Sequence, residues 1–313
     1  MKLAEQRKLF KEAQRQAKKF KGQKGIVDVE FGLKEKKGKI TDEIALRFIV
    51  SKKRSASKVA TSEVIPKKVG NFKTDVIDHK SIVKQYRTEI GSDIVRPLMG
   101  GIQILSELFE NDVTRAGTFG YSFEFPDTHP GIVFGLTNYH VLLLNGLPEA
   151  FVLNNYVGKG VYQNDYGQQK RIGTTTRIFN EKLDYAVFTV EEPCDNLQSI
   201  NGIEGRYSSY VSISTDVRVI KSGASTSITR GVLSGRSCFD CSELTIRPEP
   251  VDTNVNGIIS GDGDSGSIWL TDNGTRAPIA LHYGGSGSAA KAKSLASIFA
   301  SITNKIRNQN PII

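Results

Sequence analysis

The segment Gly261-Asp262-Gly263-Asp264-Ser265-Gly266-Ser267, followed by the apolar run Ile268-Trp269-Leu270, decides how this chain is read. A serine between glycines, on a tight turn just ahead of a buried strand, presents its hydroxyl outward. The glycines let neighbouring backbone N–H groups converge on one point. Stretches rich in Gly, Asp and Ser also make plain turns, so the segment needs partners before it carries chemistry. A serine hydroxyl is a weak nucleophile; it needs an adjacent base that is itself oriented by a third group. The chain has 4 histidines, His79, His129, His140 and His282. His140 lies in Leu136-Thr137-Asn138-Tyr139-His140-Val141, at the end of an apolar strand, where an imidazole can face a cleft. Asp184 lies in Leu183-Asp184-Tyr185-Ala186-Val187, a carboxylate immediately before a hydrophobic strand. The order is His, Asp, Ser, with gaps of 44 and 81 residues. Three separate segments that supply a hydroxyl, a base and an orienting carboxylate carry far more weight together than the serine turn alone.

Outward from this constellation, strand-like segments recur after residue 90 with Gly, Asn and Asp between them. They are Gly117–Phe123, Gly131–Asn138, Phe151–Asn154, Ile172–Phe179, Tyr185–Val190, Val217–Lys221, Gly231–Ser234, Glu243–Pro248, Ser267–Leu270 and Pro278–Leu281. Many short strands with turn punctuation predict a mainly β barrel or sandwich. Ser294–Asn308 has apolar positions at helical spacing and a basic end, which predicts a closing helix.

The front of the chain differs. Residues 1–22 read as a basic amphipathic helix, with Leu3, Phe10, Ala13, Ala17 and Phe20 on one stripe and Lys8, Lys11, Arg15 and Lys18 around it. So thin a stripe predicts docking on another element. Residues 23–85 read as a small α/β domain, with strands at 26–33, Ile44–Val50 and Phe72–Ile77, and residues 86–313 form the large domain. Residues 1–90 hold 24 Lys+Arg against 11 Asp+Glu, a net of +13, whereas the whole chain carries +9. Such asymmetry marks either an arm that meets an acidic partner or a solvated helix and lysine-rich domain. Aromatics are sparse among these lysines, which argues against nucleic acid. Composition is otherwise ordinary for a globular chain of 313 residues. No stretch approaches the ~18–20 apolar residues of a membrane span, and no secretory signal is apparent. Three cysteines give no disulfide framework and fit a reducing, cytoplasmic setting.

The segments LTNYHVL (136–142), KLDYAVF (182–188) and GDGDSGSIWL (261–270) resemble the His, Asp and Ser segments of trypsin-like, chymotrypsin-fold serine peptidases. VIKSG (219–223) with ITRGV (228–232) resembles the strand–loop–strand of a bacterial branch related to the plant narrow-leaf proteins, as does the front domain. The resemblance covers most of residues 23–290. It implies a double β-barrel and a serine endopeptidase in which Ser265 is the nucleophile, His140 the base and then the acid, and Asp184 the orienting carboxylate. It also implies an oxyanion hole made by the N–H groups of Gly263 and Ser265, each donor worth about 3 kcal/mol in the transition state.

The resemblance further implies that the strand around Leu281-His282-Tyr283-Gly284-Gly285 lines the pocket for the residue before the cut bond. His282 with the following glycines resembles glutamyl endopeptidases and 3C-type viral proteases, whose pocket histidine contacts Glu or Gln. An imidazole N–H can donate to a carboxylate or amide oxygen, and Ser260 can add a hydroxyl. Ile259 stands where a trypsin has its carboxylate, which disfavours cleavage after Arg or Lys. The alternative for His282 is a structural histidine bonded within the barrel. Asp264 raises a further question. In animal trypsins the equivalent carboxylate pairs with a newly cut N-terminal amine. Here either an internal partner replaces that amine or the front domain is processed.

Cys238-Phe239-Asp240-Cys241 has C-x-x-C spacing but lacks further ligands, so a surface loop or local disulfide is expected rather than a metal site. No cofactor is implied. The expected partners are a protein or peptide substrate and a regulatory partner at the basic front region, conditional activation being one reading. The competing reading is a catalytically silent scaffold on the same fold.

Overall fold

A computed structural model of the chain describes residues 3–36, 39–55, 58–60, 63–79, 83–84, 95–110, 113–165, 168–193, 199–204, 215–249, 257–286 and 289–308. In chain order, helix α1 (Leu3–Ala17) precedes strands β1 (Ile26–Lys36), β2 (Lys39–Val50), β3 (Lys68–Val69), β4 (Phe72–Asp78) and β5 (Val83–Lys84). Next come β6 (Gln103–Glu110), β7 (Val113–Thr118), β8 (Tyr121–Phe125) and β9 (His129–Thr137), the short helices α2 (Tyr139–Leu142) and α3 (Glu149–Asn155), then β10 (Gly160–Asp165), β11 (Gln168–Asn180) and β12 (Tyr185–Val190). The last part holds β13 (Arg218–Gly223), β14 (Ser227–Ser237), β15 (Glu243–Pro248), β16 (Ile268–Thr271), β17 (Pro278–Gly285), β18 (Ala290–Ser294) and helix α4 (Leu295–Asn308).

Strands β6 to β12 form one sheet, ordered β7-β6-β10-β11-β12-β9-β8. It curls around Ile104, Phe119, Val141, Ile172 and Phe188. The later strands run β13-β16-β17-β18-β15-β14, and β13 pairs with β14 as well, which closes a six-stranded ring. Closure removes the unpaired edges an open sheet would present. Val219, Leu233, Ile246, Trp269 and Ile279 fill it. A third cluster joins the two bodies: Tyr121, Phe134 and Leu136 from the first meet Ile220, Leu270 and Leu281 from the second. Leu295, Ile298, Phe299, Ile302 and Ile306 of α4 pack against this cluster, an apolar stripe at helical spacing. The architecture is a chymotrypsin-like double β-barrel with a C-terminal helix, as expected.

The front strands extend the second barrel. Glu30, Phe31 and Gly32 of β1 pair with Ser237, Arg236 and Gly235 at the far end of β14. Strand β2 lies antiparallel to β1, and β4 runs parallel to β2. Helix α1 docks on this extension: Ala13 and Ala17 pack against Val29, Phe31, Leu46 and Phe48. The Phe20 ring meets Phe48 edge-on at 4.9 Å. An ionic cluster lies at the junction. Glu30 is buried opposite Arg47, accepts hydrogen bonds from Lys291 at 2.9 Å and from Thr245 at 2.6 Å, and has Arg47 at 3.3 Å. Burial pushes its carboxyl up, but Lys291 and Arg47 outweigh that and hold it down at about 2.

Two expectations change, and one open alternative narrows. Phe151–Asn154 is not a strand; it lies in α3, where only Val152 is buried. Phe-Val-Leu is too short an apolar run for its period to separate strand from helix. Gly117–Phe123 is not one strand either: β7 ends at Thr118 and β8 starts at Tyr121, because the chain here turns along the second barrel and donates Thr118 N–H to Ser265 C=O. Cys238 and Cys241 are free thiols rather than a local disulfide, and Cys194 lies outside the described residues.

Removing one partner from a buried ion cluster leaves an uncompensated charge. Lys291→Met is therefore expected to cost about 3 kcal/mol in urea unfolding at pH 7. Because the folded pKa of Glu30 lies below its ordinary value, its contribution is present above about pH 4.5 and fades towards pH 2. The gap between variant and wild type should shrink over that window.

Candidate active site

His140 sits in α2, three residues past the end of β9. Tyr139, Val141 and Leu142 on either side of it are buried in the first barrel, so the turn is anchored and the ring is only 1% exposed. Asp184 ends the turn before β12 with φ of +49°, a left-handed conformation that Asp tolerates better than most residues. Glu181 C=O accepts the Asp184 N–H, and Asn180 Oδ1 accepts the Leu183 N–H. That turn aims the carboxylate at His140.

The two segments meet at several atoms. His140 Nδ1 lies 2.8 Å from Asp184 Oδ2 and 3.0 Å from Oδ1, and His140 backbone N–H donates to Oδ1 at 3.2 Å. Asn138 Nδ2 donates to Asp184 C=O at 2.7 Å. Burial pushes the Asp184 carboxyl up, but the His140 ring, its hydrogen bonds and the Lys84 ammonium 3.7 Å away hold it below the ordinary range. An ionised Asp184 keeps the proton on Nδ1, so Nε2 is an acceptor. It lies 2.9 Å from Ser265 Oγ, which is also 3.1 Å from the carbonyl of Tyr283.

Ser265 is carried by two consecutive turns. Gly261 C=O accepts from Asp264 N–H, and Asp264 C=O accepts from Ser267 N–H. Gly263 and Gly266 occupy the third position of each turn with φ of +102° and +101°, the position that favours glycine in type II turns. The first barrel grips this turn through Thr118: its N–H donates to Ser265 C=O and its hydroxyl to Gly263 C=O, both at 2.7 Å. Asp264 is fully buried beside a fully buried Lys221 at 2.7 Å.

On the second-barrel side, His282 is fully buried. Its C=O accepts from Gly266 N–H, and its N–H donates to Ser267 C=O. Trp269 Nε1–H donates to His282 Nδ1 in a long 3.4 Å bond, which assigns the ring proton to Nε2. Burial, with Lys221 adding to it, pulls the imidazole down to about 3. Ser260 Oγ is buried, has no hydrogen-bond partner among the described residues, and lies against Gly285. Ile259 is fully buried in the second-barrel core with Trp269. Gly284 and Gly285 on β17 pair with Lys84 and Val83 of β5, antiparallel.

His140, Asp184 and Ser265, far apart in sequence, thus converge where the two barrels meet, with the backbone of Tyr283 beside them. Thr118, Asn138, Lys84, Lys221 and Trp269 had no assigned role in the sequence reading. Lys221 left a signal there, as a charge directly after the apolar pair Val219-Ile220. Among the described residues no cluster of His, Cys, Asp and Glu could hold a metal ion, and no helix is long and apolar enough to cross a membrane.

No protein-family model matches this chain, and no curated protein matches it. Among solved structures it is similar to a glutamic-acid-specific serine protease described as using a histidine triad in substrate binding. That match has 15% identity and a TM-score of 0.44, and covers 66% of this chain and 98% of the other. It is also similar to the Nocardiopsis protease NAPase (16%, TM-score 0.44, covering 66% and 96%) and to Thermobifida fusca protease A (15%, TM-score 0.43, covering 66% and 95%).

The depressed His282 has a consequence for stability. The unfolded chain takes up the proton near pH 6.5, whereas the folded chain resists it until about pH 3. Folding free energy should therefore fall as pH drops below about 6.5, by at most about 1.4 kcal/mol per pH unit from this residue. Urea unfolding at pH 7, 6 and 5 should show that slope in wild type and a shallower one in His282→Gln.

Proposed function

We propose that the protein is a serine endopeptidase acting through His140, Asp184 and Ser265. The observation that carries the reading is the hydrogen-bond chain from Asp184 through both nitrogens of His140 to Ser265 Oγ. In this mechanism Ser265 Oγ attacks the carbonyl carbon of the peptide bond while its proton moves to His140 Nε2. The imidazolium so formed is stabilised by the ionised Asp184. The tetrahedral oxyanion is received by the N–H groups of Gly263 and Ser265, where each donor is worth about 3 kcal/mol. His140 then returns the proton to the leaving amine, giving an acyl-enzyme, and water activated by His140 hydrolyses it.

The same reading assigns the residue before the cut bond to a pocket beside His282 and Ser260, with Tyr283 and Gly284 holding the substrate backbone. A neutral imidazole with its proton on Nε2 and an orphaned serine hydroxyl are both donors to oxygen. They favour a Glu or Gln side chain, and the apolar Ile259 offers no counter-charge for Lys or Arg. The pairing of Val83–Lys84 with Gly284–Gly285 supports conditional activation, since a segment of the chain itself occupies the strand edge that a substrate would take. A partner drawing on the basic front region would release it. The 3 cysteines of the chain, an odd number with no disulfide framework, support a reducing compartment such as the cytoplasm.

Fluorophosphonate should label Ser265 in the wild type and not in Ser265→Ala, whose turnover should fall on the order of 10⁶-fold. Absence of both label and cleavage in a folded wild type fits either the silent scaffold or a locked zymogen; absence of both in a β5-disrupted variant (Val83→Pro with Lys84→Ala) as well favours the scaffold. Cleavage-site profiling should find Glu or Gln before the scissile bond; dominance of Lys, Arg or aromatics rejects the pocket assignment. If β5 restrains the site, Val83→Pro with Lys84→Ala should speed labelling by about 10-fold or more, a loss of roughly 1.4 kcal/mol of restraint. An unchanged rate removes the restraint from the reading.

A further inference from the structure

Lys221 lies within β13, and its side chain is fully buried. Lysine almost never occupies such a position unless it is paired. Its ammonium donates to Asp264 Oδ2 at 2.7 Å and to Thr226 Oγ1 at 2.9 Å, and lies 5.4 Å from the centre of a Trp269 ring. Asp264, in turn, immediately precedes the nucleophile. Its Oδ1 accepts the N–H groups of Ser225 and Thr226, and its Oδ2 accepts Gly261 N–H and the Thr226 hydroxyl. One carboxylate therefore ties together β13, the loop between β13 and β14, and the first residue of the nucleophile turn. The approach is close: a Cβ on Gly223 would lie 2.3 Å from Asp264 Oδ1.

Such convergence keeps Asp264 ionised, and burial of that charge is tolerable only with a cation beside it. Lys221 is the cation in contact with it. Neither side chain is exposed, so the carboxylate has no open face for an amine arriving from elsewhere. Asp264 closes the turn that contains Gly263 and opens the turn that contains Ser265, and its C=O shares a peptide unit with the Ser265 N–H. Whatever fixes the Asp264 side chain also fixes those groups.

We propose that Lys221 is a positioning residue for the reaction: its ammonium, supplied from inside the chain, holds Asp264 and so keeps the nucleophile turn in reactive shape without any amine released by cleavage at the front of the chain. This deepens the peptidase reading and rests on it. It also answers the question the sequence left open about the partner of Asp264.

The test compares wild type, Lys221→Met, Asp264→Asn and the double variant on a peptide substrate and on fluorophosphonate. Lys221→Met should lose about 100-fold in kcat with KM within about 3-fold, the signature of a group felt in the transition state rather than in substrate binding. Labelling should slow in parallel. The double variant should be no worse than the poorer single one, because the two groups act as a unit. A role confined to stability would lower the melting temperature and leave kcat in place. A folded Lys221→Met within about 3-fold of wild-type kcat, beside a reactive wild type, overturns the positioning role alone; multiplying losses in the double variant do the same. A wild type and a β5-disrupted variant (Val83→Pro with Lys84→Ala) that both take no label overturn the peptidase reading and this role with it. Intact-mass analysis of labelled wild type bears on the question even where Lys221→Met does not fold. The label should sit on the uncut 313-residue chain; label confined to chains shortened at the front overturns the proposal.

Discussion

The residues that converge at the cleft are divided between two separately packed bodies, so their geometry depends on the relative setting of the barrels. Thr118 supplies that constraint. It stands at the end of β7, in the first barrel, and bonds both Gly263 and Ser265 of the second through its hydroxyl and its N–H. Its own C=O accepts the Thr137 hydroxyl, and Thr137 ends β9, the strand that leads into His140. A short path of hydrogen bonds therefore runs from the strand before the imidazole to the turn that carries the hydroxyl. The apolar cluster shared by the barrels and sealed by α4 keeps water out from under this path, which strengthens each bond in it.

Three buried carboxylates organise the molecule, and each has a different kind of partner. Glu30 meets Arg47 and Lys291 where the front strands continue the second barrel. Asp184 meets an imidazole, with an ammonium farther off. Asp264 meets Lys221, neutral hydroxyl and backbone donors. Buried pairs of this kind add little net stability over apolar packing, but they are costly to break, and their geometry is directional. Directionality is what an active-site turn and a sheet junction need. The front strands reach the cleft by two routes, through β14 into the body of the second barrel and through β5 onto the edge of β17. Under the peptidase reading, with Lys221 holding the turn, a restraint through β5 would act on access to the cleft and leave the turn itself in order.

The sequence was informative where chemistry demands particular residue types. His140, Asp184 and Ser265 were legible because a hydroxyl nucleophile requires a base and an orienter, and because each sits where a strand meets a turn. The barrel class was legible from repeated short strands and punctuating glycines. Other features were not. Strands β6 and β10 lack a clean alternation, and β14 looked like a short strand because its far half is shared, with Gly235 and Arg236 pairing both with β15 of the barrel and with β1 of the front sheet. Thr118 is one threonine among many, and its role arises from where β7 stops. Asn138 was visible beside His140, but its bond to the carbonyl of Asp184 depends on the left-handed turn there. Pairing across long sequence separations, such as Glu30 with Lys291, has no local trace at all.

The buried lysine joins two matters that the sequence kept separate, the shape of the nucleophile turn and the chemistry of the adjoining pocket. Its ammonium touches Asp264 on one side and lies near the Trp269 ring on the other. The indole N–H of that same tryptophan fixes the tautomer of His282. The positive charge also helps keep His282 neutral, since a second cation in the same low-dielectric space would be unfavourable. A neutral imidazole donates from Nε2 without attracting anions generally, so a pocket of the kind proposed would distinguish side chains by where their oxygens lie. The Lys221–Asp264 pair cancels most of its own field at a distance, and the charge that matters locally is confined to contact range. Under the peptidase reading, the residue that holds the reacting turn therefore also adds to the burial that keeps neutral the group proposed to choose the substrate.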